Sequence, residues 1–273
     1  MKKLIVILTA VFLATGVFAQ EKKDTSTIFI GNTKILIISK DEKVKIGDKD
    51  TIEIEHSDTL ECNKNKFKGH WAGIELGLNG YLNNYNSSNL NGSAKFMSLN
   101  QSKSWTFSLN FAEVNIGIVK KYIGITSGLG LQFNNYRFNS NNRLVGDSAS
   151  LTYFADTVKY KKDKLVATYL TLPLLLEFQL PLNHKEDWLH LSVGVVGGLR
   201  IGTHTKQVFN LNGNDNKEKQ RDDFHLAPFQ YGLTARLGYD NMGVFVNYSL
   251  SALLKDGEGP ELYPWSAGIS FSF

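Results

Sequence analysis

In the last nine residues, Trp265–Phe273, apolar and small side chains alternate without a break. Trp265, Ala267, Ile269, Phe271 and Phe273 fall on one face of an extended strand, and Ser266, Gly268, Ser270 and Ser272 on the other. The same period recurs upstream. Leu170, Leu172, Leu174, Leu176, Phe178 and Leu180 make one stripe, and Leu189, Leu191, Val193, Val195, Leu199 and Ile201 another. The opposite faces carry Gly, Ser, Thr, Gln and a few charges. After residue 19 no segment approaches the roughly 20 apolar residues of a spanning helix. The longest, Leu170–Leu176, is interrupted by Thr171 and Pro173. Such a chain builds sheet. If that sheet lies in lipid it must close on itself, because an open edge leaves backbone groups unpaired.

The amino-terminal residues indicate export. Met1-Lys-Lys is a basic n-region, Leu4–Phe18 an apolar h-region, and Val17 and Ala19 are small residues at −3 and −1. Cleavage before Gln20 is expected, with 1–19 as signal peptide. No Cys follows that point to take a lipid. Loss of Lys2 and Lys3 lowers the formal charge from +4 to +2. A balance that small gives no reason to invoke nucleic acid or acidic lipid. Cys62 is the only cysteine, so no intrachain disulfide forms, and an idle thiol is the simplest reading.

Residues 20–67 are rich in Lys, Asp and Glu and poor in aromatics. Hairpin patterns lie at Thr27–Ile30 with Lys34–Ile38, and at Lys43–Ile46 with Thr51–Glu55. So little apolar surface fits a small periplasmic β arm or a disordered one. Residues 68–273 read as a second domain of eight strands: 71–81, 104–120, 123–138, 165–180, 188–205, 228–239, 243–254 and 265–273. Long polar connections (82–103, 139–164, 206–227, 255–264) alternate with short ones near Lys120-Lys121, Pro181–Asp187 and Asp240–Met242. The fold class expected is all-β: an eight-stranded antiparallel up-and-down transmembrane barrel, short turns in the periplasm and long loops outside. A break in phase between Phe111 and Val114 predicts a bulge near Ala112-Glu113. Trp71 and Trp188 are placed at the periplasmic rim, and Trp105 and Trp265 at the outer rim, as interface aromatics together with Phe273.

Gly69-His-Trp-Ala-Gly-Ile-Glu-Leu-Gly-Leu-Asn-Gly80, Gly128-Leu-Gly-Leu-Gln132, Tyr169-Leu-Thr-Leu-Pro-Leu-Leu-Leu-Glu-Phe178 and the last strand resemble the PorT-like outer-membrane β-barrel proteins of Gram-negative bacteria. The resemblance implies an outer-membrane location and a barrel. It carries no common activity. It also implies that the terminal Phe273 is read by the barrel assembly machinery. The other partners expected are outer-membrane lipid and an unidentified periplasmic or extracellular protein; no nucleic acid and no cofactor are expected.

Chemistry is sparse. The six His are scattered, and His190 and His204, though in one phase, are fourteen residues apart, beyond one metal's reach. His204 approaching His225 across the third long loop is the one candidate for a rim hydrolase or lipid-modifying enzyme. The favoured reading is a non-enzymatic barrel that binds through its loops or its arm. A small channel is disfavoured, because eight strands enclose little more than side chains. Glu75, Glu113, Glu177, Arg200 and Arg236 fall on the inward face. They are expected to form a structural lumen network, each Arg within reach of a Glu, with Asn115, Gln132, Gln179 and Gln230 in support. Asp-Ser/Thr-aliphatic triplets mark Thr51, Thr59, Ser148 and Thr157 as candidate O-glycosylation sites.

Overall fold

The computed structural model describes residues 25–30, 33–38, 67–146, 149–182, 188–211 and 213–273. Contacts separate residues 1–59 from residues 60–273. In the first unit β1 (Thr25–Ile30) pairs antiparallel with β2 (Thr33–Ile38), which is the first of the two expected hairpins. The signal segment, the second hairpin and Cys62 lie outside the described residues.

The second unit is a ring of strands. β3 (Gly73–Asn83), β4 (Trp105–Val119) and β5 (Ile123–Arg137) run in sequence, followed by a hairpin of β6 (Asn142–Gly146) and β7 (Leu151–Ala155). β8 (Tyr160–Pro181), β9 (Trp188–Leu211) and β10 (Asn214–Arg221) come next, then β11 (Phe229–Tyr239), β12 (Met242–Ser249) and β13 (Leu262–Ser272). The wall order is β3-β4-β5-β8-β9-β11-β12-β13, and β13 pairs back onto β3, from Leu262 opposite Asn83 to Ser272 opposite Gly73. Every neighbour is antiparallel, so eight strands close without an edge. The expected bulge is present: the β4–β5 register slips between Asn110 and Ala112.

Alternation sets the two faces. Val114, Ile116 and Ile118 are each more than half exposed, and Leu172, Leu174, Leu176, Leu191, Val193 and Val195 are exposed with them. Thr171, Leu175, Glu177, Gln179, His190 and Ser192, one residue out of step, are buried. An apolar belt outside and polar residues inside is the arrangement for lipid; soluble monomers seldom expose so large a patch.

Two of the strands run at least five residues beyond the expected limits. β8 begins five residues early and β9 continues to Leu211, where Gly213 (φ +86°) turns the chain back into β10. The third long connection is therefore mostly sheet, because its alternating residues extend the ladder of β9. β12 stops at Ser249, short of the expected Leu254, because Leu253 and Leu254 turn into a different core.

That core lies at the long-loop end. Leu90, Phe96, Met97, Phe138, Leu144, Leu151, Phe224, Leu226, Leu253 and Leu254 pack with Tyr81, Tyr136, Leu165 and Leu262 from the strand ends. Backbone hydrogen bonds join one loop to the next: Leu151 N–H donates to the Glu258 carbonyl, Lys255 N–H to that of His225, and Asn139 N–H to that of Ser98. Each apolar side chain buried there contributes about 1.5–3 kcal/mol. The loops were expected to be polar and solvated; they form a packed cap.

Candidate functional site

At the short-turn end, residues 67–72 do not belong to the wall. Phe67 and Trp71 are 7% and 3% exposed. A Cβ on Gly124 would lie 2.5 Å from the Phe67 ring, and one on Gly128 would lie 2.7 Å from Trp71. These inward glycines of β5 are sockets for the two aromatics. The segment thus runs inside the barrel and joins the wall at Gly73, whose φ of +155° suits Gly and whose Cβ would strike the Phe271 carbonyl at 2.0 Å. This corrects the placing of Trp71 as a rim aromatic. Trp105 is exposed on the outer face, Trp265 is half-buried, Trp188 sits 4.4 Å from the Lys121 ammonium, and Phe273 is exposed.

The inward carboxylates divide their work. Glu75 takes a salt bridge from Arg236 at 2.5 Å and a hydrogen bond from Asn110 at 3.0 Å. The Arg236 guanidinium also stands 4.5 Å from the centre of the Trp71 ring. Glu113 accepts the backbone N–H groups of Trp71 and Ala72 at 2.6 and 2.7 Å and the Asn115 amide at 2.5 Å. Glu177 accepts from His70 Nδ1 (2.6 Å), His70 N–H (3.3 Å), Gln179 (2.7 Å) and Ser192 (3.1 Å). Two of the three Glu therefore hold the inner segment rather than an Arg. Arg200 departs from the expectation: it donates to Thr203 Oγ1 and to the Asp223 carbonyl, and among the described residues it has no Glu partner. β9 slips register against β8 just beyond it, where the chain following β10 comes within reach. Gln132 accepts from Asn134, and Gln230 Nε2 lacks a partner among the described residues.

His190 is the residue that sequence reasoning set aside. Its ring stacks on His70 at 3.9 Å and 5°, and its Nε2 meets the Asp240 carbonyl at 3.2 Å. His70, Glu177 and His190 each place a donor atom within 4.8 Å of the others. Spacing within one strand could not reveal this. The signal was the phase shared by Glu177 and His190 on neighbouring strands, with Gly69-His-Trp preceding the first.

The rim-enzyme pair does not form a joint centre. His225 bonds Glu258 at 2.6 Å in the cap, beside the Lys255–Asp223 ion pair at 2.8 Å. These bonds hold the Asp223 and Glu258 carboxyls below the ordinary range, Asp223 chiefly through Lys255 and Glu258 chiefly through His225. His204 sits opposite Val166 and Arg221 on the β8–β9–β10 sheet. Of the candidate glycosylation residues Thr157 is exposed ahead of β8; Thr51, Thr59 and Ser148 lie outside the described residues.

On the outer face of the β8–β9–β10 extension, Arg137 of β5 lies opposite Lys164, Lys164 opposite Lys206, and Lys206 opposite Lys219. Four cations form one row across four strands, on the same side as Leu170 and Leu172 and just beyond that apolar band. Lys164 also lies 5.7 Å from the Trp105 ring, and burial and the neighbouring cations push its ammonium down to about 8. Among the described residues none of the four is in an ion pair.

A search of curated proteins finds no match. The chain resembles the crystal structure of Ail, the attachment invasion locus protein of Yersinia pestis, at 12% identity and a TM-score of 0.28, over 74% of this chain and 99% of that one. The same protein in complex with the heparin analogue sucrose octasulfate matches at equal identity and TM-score, with 95% of its chain covered. Residues 63–255 match the family described as outer membrane protein beta-barrel domain. With the closed ring, the apolar belt and the polar lumen, that match identifies the chain as a member of the outer membrane protein beta-barrel domain family.

Proposed function

We propose that this outer-membrane barrel is a non-enzymatic surface protein of a Gram-negative bacterium that binds phosphorylated glycolipid of the outer leaflet through its cationic row. The short turns face the periplasm and the cap faces outward, as in barrels of this kind. Its PorT-like sequence stretches suit the same setting. The observation that carries the reading is Arg137–Lys164–Lys206–Lys219. Like charges directly opposite one another in a sheet cost roughly 0.2–1 kcal/mol per pair. A layer of anionic headgroups at that height turns the cost into attraction, about 1 kcal/mol for each Lys or Arg near the surface. The near-neutral total charge concealed this concentration on one side.

The test uses the protein in neutral-lipid nanodiscs, titrated with a bis-phosphorylated outer-leaflet glycolipid and with its dephosphorylated form. The phosphorylated form should bind, weaken with salt, and lose about tenfold on Lys164→Glu or Lys206→Glu. Equal binding of both forms, or binding of soluble polyphosphate without the glycolipid, would overturn the reading.

A further inference from the structure

We propose that His70, Glu177 and His190 bind one divalent transition-metal ion of the zinc class, fastening the inner segment to the barrel wall. Three observations converge. The donors are two imidazoles and a carboxylate, a set that suits zinc and its neighbours, with a solvent molecule free to complete four-coordination. Each residue offers an atom within 4.8 Å of the others. Donor atoms of a tetrahedral zinc site stand about 3.3 Å apart, so the metal replaces the proton that His70 Nδ1 donates to Glu177, which leaves to solvent, and the 2.6 Å contact opens slightly. Wider separations close by up to about 1.5 Å, and one imidazole turns out of the 5° stack so that the metal lies in the plane of both rings.

The second observation fixes a tautomer. His190 meets the Asp240 carbonyl through Nε2 at 3.2 Å. A carbonyl can only accept, so Nε2 carries the proton and the lone pair sits on Nδ1. Nδ1 is the atom without a hydrogen-bond partner among the described residues, in a side chain 5% exposed. A buried lone pair left empty is costly, whereas an imidazole oriented by a carbonyl on its far nitrogen is the usual support of a metal ligand.

The third is the outer support of the carboxylate. Gln179 and Ser192 each donate to Glu177, which is fully buried, and so hold it in place. Gly238 leaves room for the His190 ring, since a Cβ there would lie 2.2 Å from it. His70 belongs to the inner segment, Glu177 to β8 and His190 to β9. A metal shared by the three would fasten the inner segment to two strands already paired with each other, adding to the grip of Glu113 on Trp71 and Ala72.

The experiment uses the whole mature chain folded in detergent and stripped with EDTA. Zn2+ is titrated by calorimetry, and Co2+ by the visible bands of a four-coordinate site. A His56→Gln/Cys62→Ser background removes the one thiol and the imidazole before residue 67, and His184→Gln and His225→Gln controls account for the imidazoles that remain beside His204. One equivalent of Zn2+ should bind in that background, slow amide exchange in residues 67–72, and bind about 100-fold more weakly after His190→Gln or His70→Gln. His204→Gln should leave it unchanged. Folding of each variant is checked by heat-modifiable gel migration; if His190→Gln does not fold, His70→Gln supplies the comparison. Absence of one-to-one binding in the background chain, or unchanged affinity in the folded His70 variant, would overturn the site.

Discussion

At the scale of single residues, burial decides more than charge. Asp163 sits at the inner face of the β8 extension, beyond the apolar belt, 3% exposed, with one oxygen taken by Gln207 at 3.1 Å. Burial pushes its carboxyl up to about 7, against the opposing pull of Gln207 and Arg137. A carboxyl whose folded value lies above its unfolded value of about 4 favours the folded protein when protonated. Its contribution is therefore complete below about pH 4 and is lost as pH rises through about 7. Asp163→Asn should flatten that decline and raise stability at pH 8, by up to about 4 kcal/mol. Thermal unfolding of both proteins in detergent between pH 4 and 8 checks this, and parallel pH profiles would count against it.

At the scale of elements, the wall was legible and its filling was not. The stripe Leu170–Leu180 and the closing strand have a period of two and one apolar face, which specify both strand and orientation. The bulge could be read because two stripes in β4 fall out of step around Phe111. Residues 67–72 could not. Phe67, Gly69 and Trp71 share the inward phase of Glu75 and Asn79, opposite to the stripe of Ile74, Leu76 and Leu78, and only a partner surface, Gly124 and Gly128, shows that they leave the wall. The cap was hidden for a similar reason: Leu90, Leu144, Leu226 and Leu254 are spread over four separate loops and become a core only when those loops meet. The same distinction gives a test. Trp71→Ala empties a buried site and should cost about 3–5 kcal/mol, whereas Trp105→Ala, on the exposed outer face, should cost well under 2. Equal losses in urea unfolding would place Trp71 at the surface after all.

At the scale of the whole barrel, closure occurs twice along the lumen. An eight-stranded ring has room for little beyond its own side chains. At the short-turn end that room holds Phe67, Trp71 and the Arg236–Glu75 pair, with Glu113 and Glu177 gripping the inner segment. At the long-loop end the cap covers the strand mouths with Phe96, Met97, Phe224 and Leu226. The buried Arg236–Glu75 pair lies in that space, so an ion entering would have to break it, which costs about 3–5 kcal/mol once one partner is lost. The purified protein in planar bilayers should therefore show no steady conductance. Two closures in series make a sharper claim. Trp71→Ala with Arg236→Ala should still give none, because the cap remains; Leu226→Asp with Leu254→Asp should give none, because the inner segment remains. Only the four substitutions together should produce a channel. Steady unitary currents from the wild-type chain would show the lumen to be open, and currents from either double variant would show that one closure alone had been sealing it.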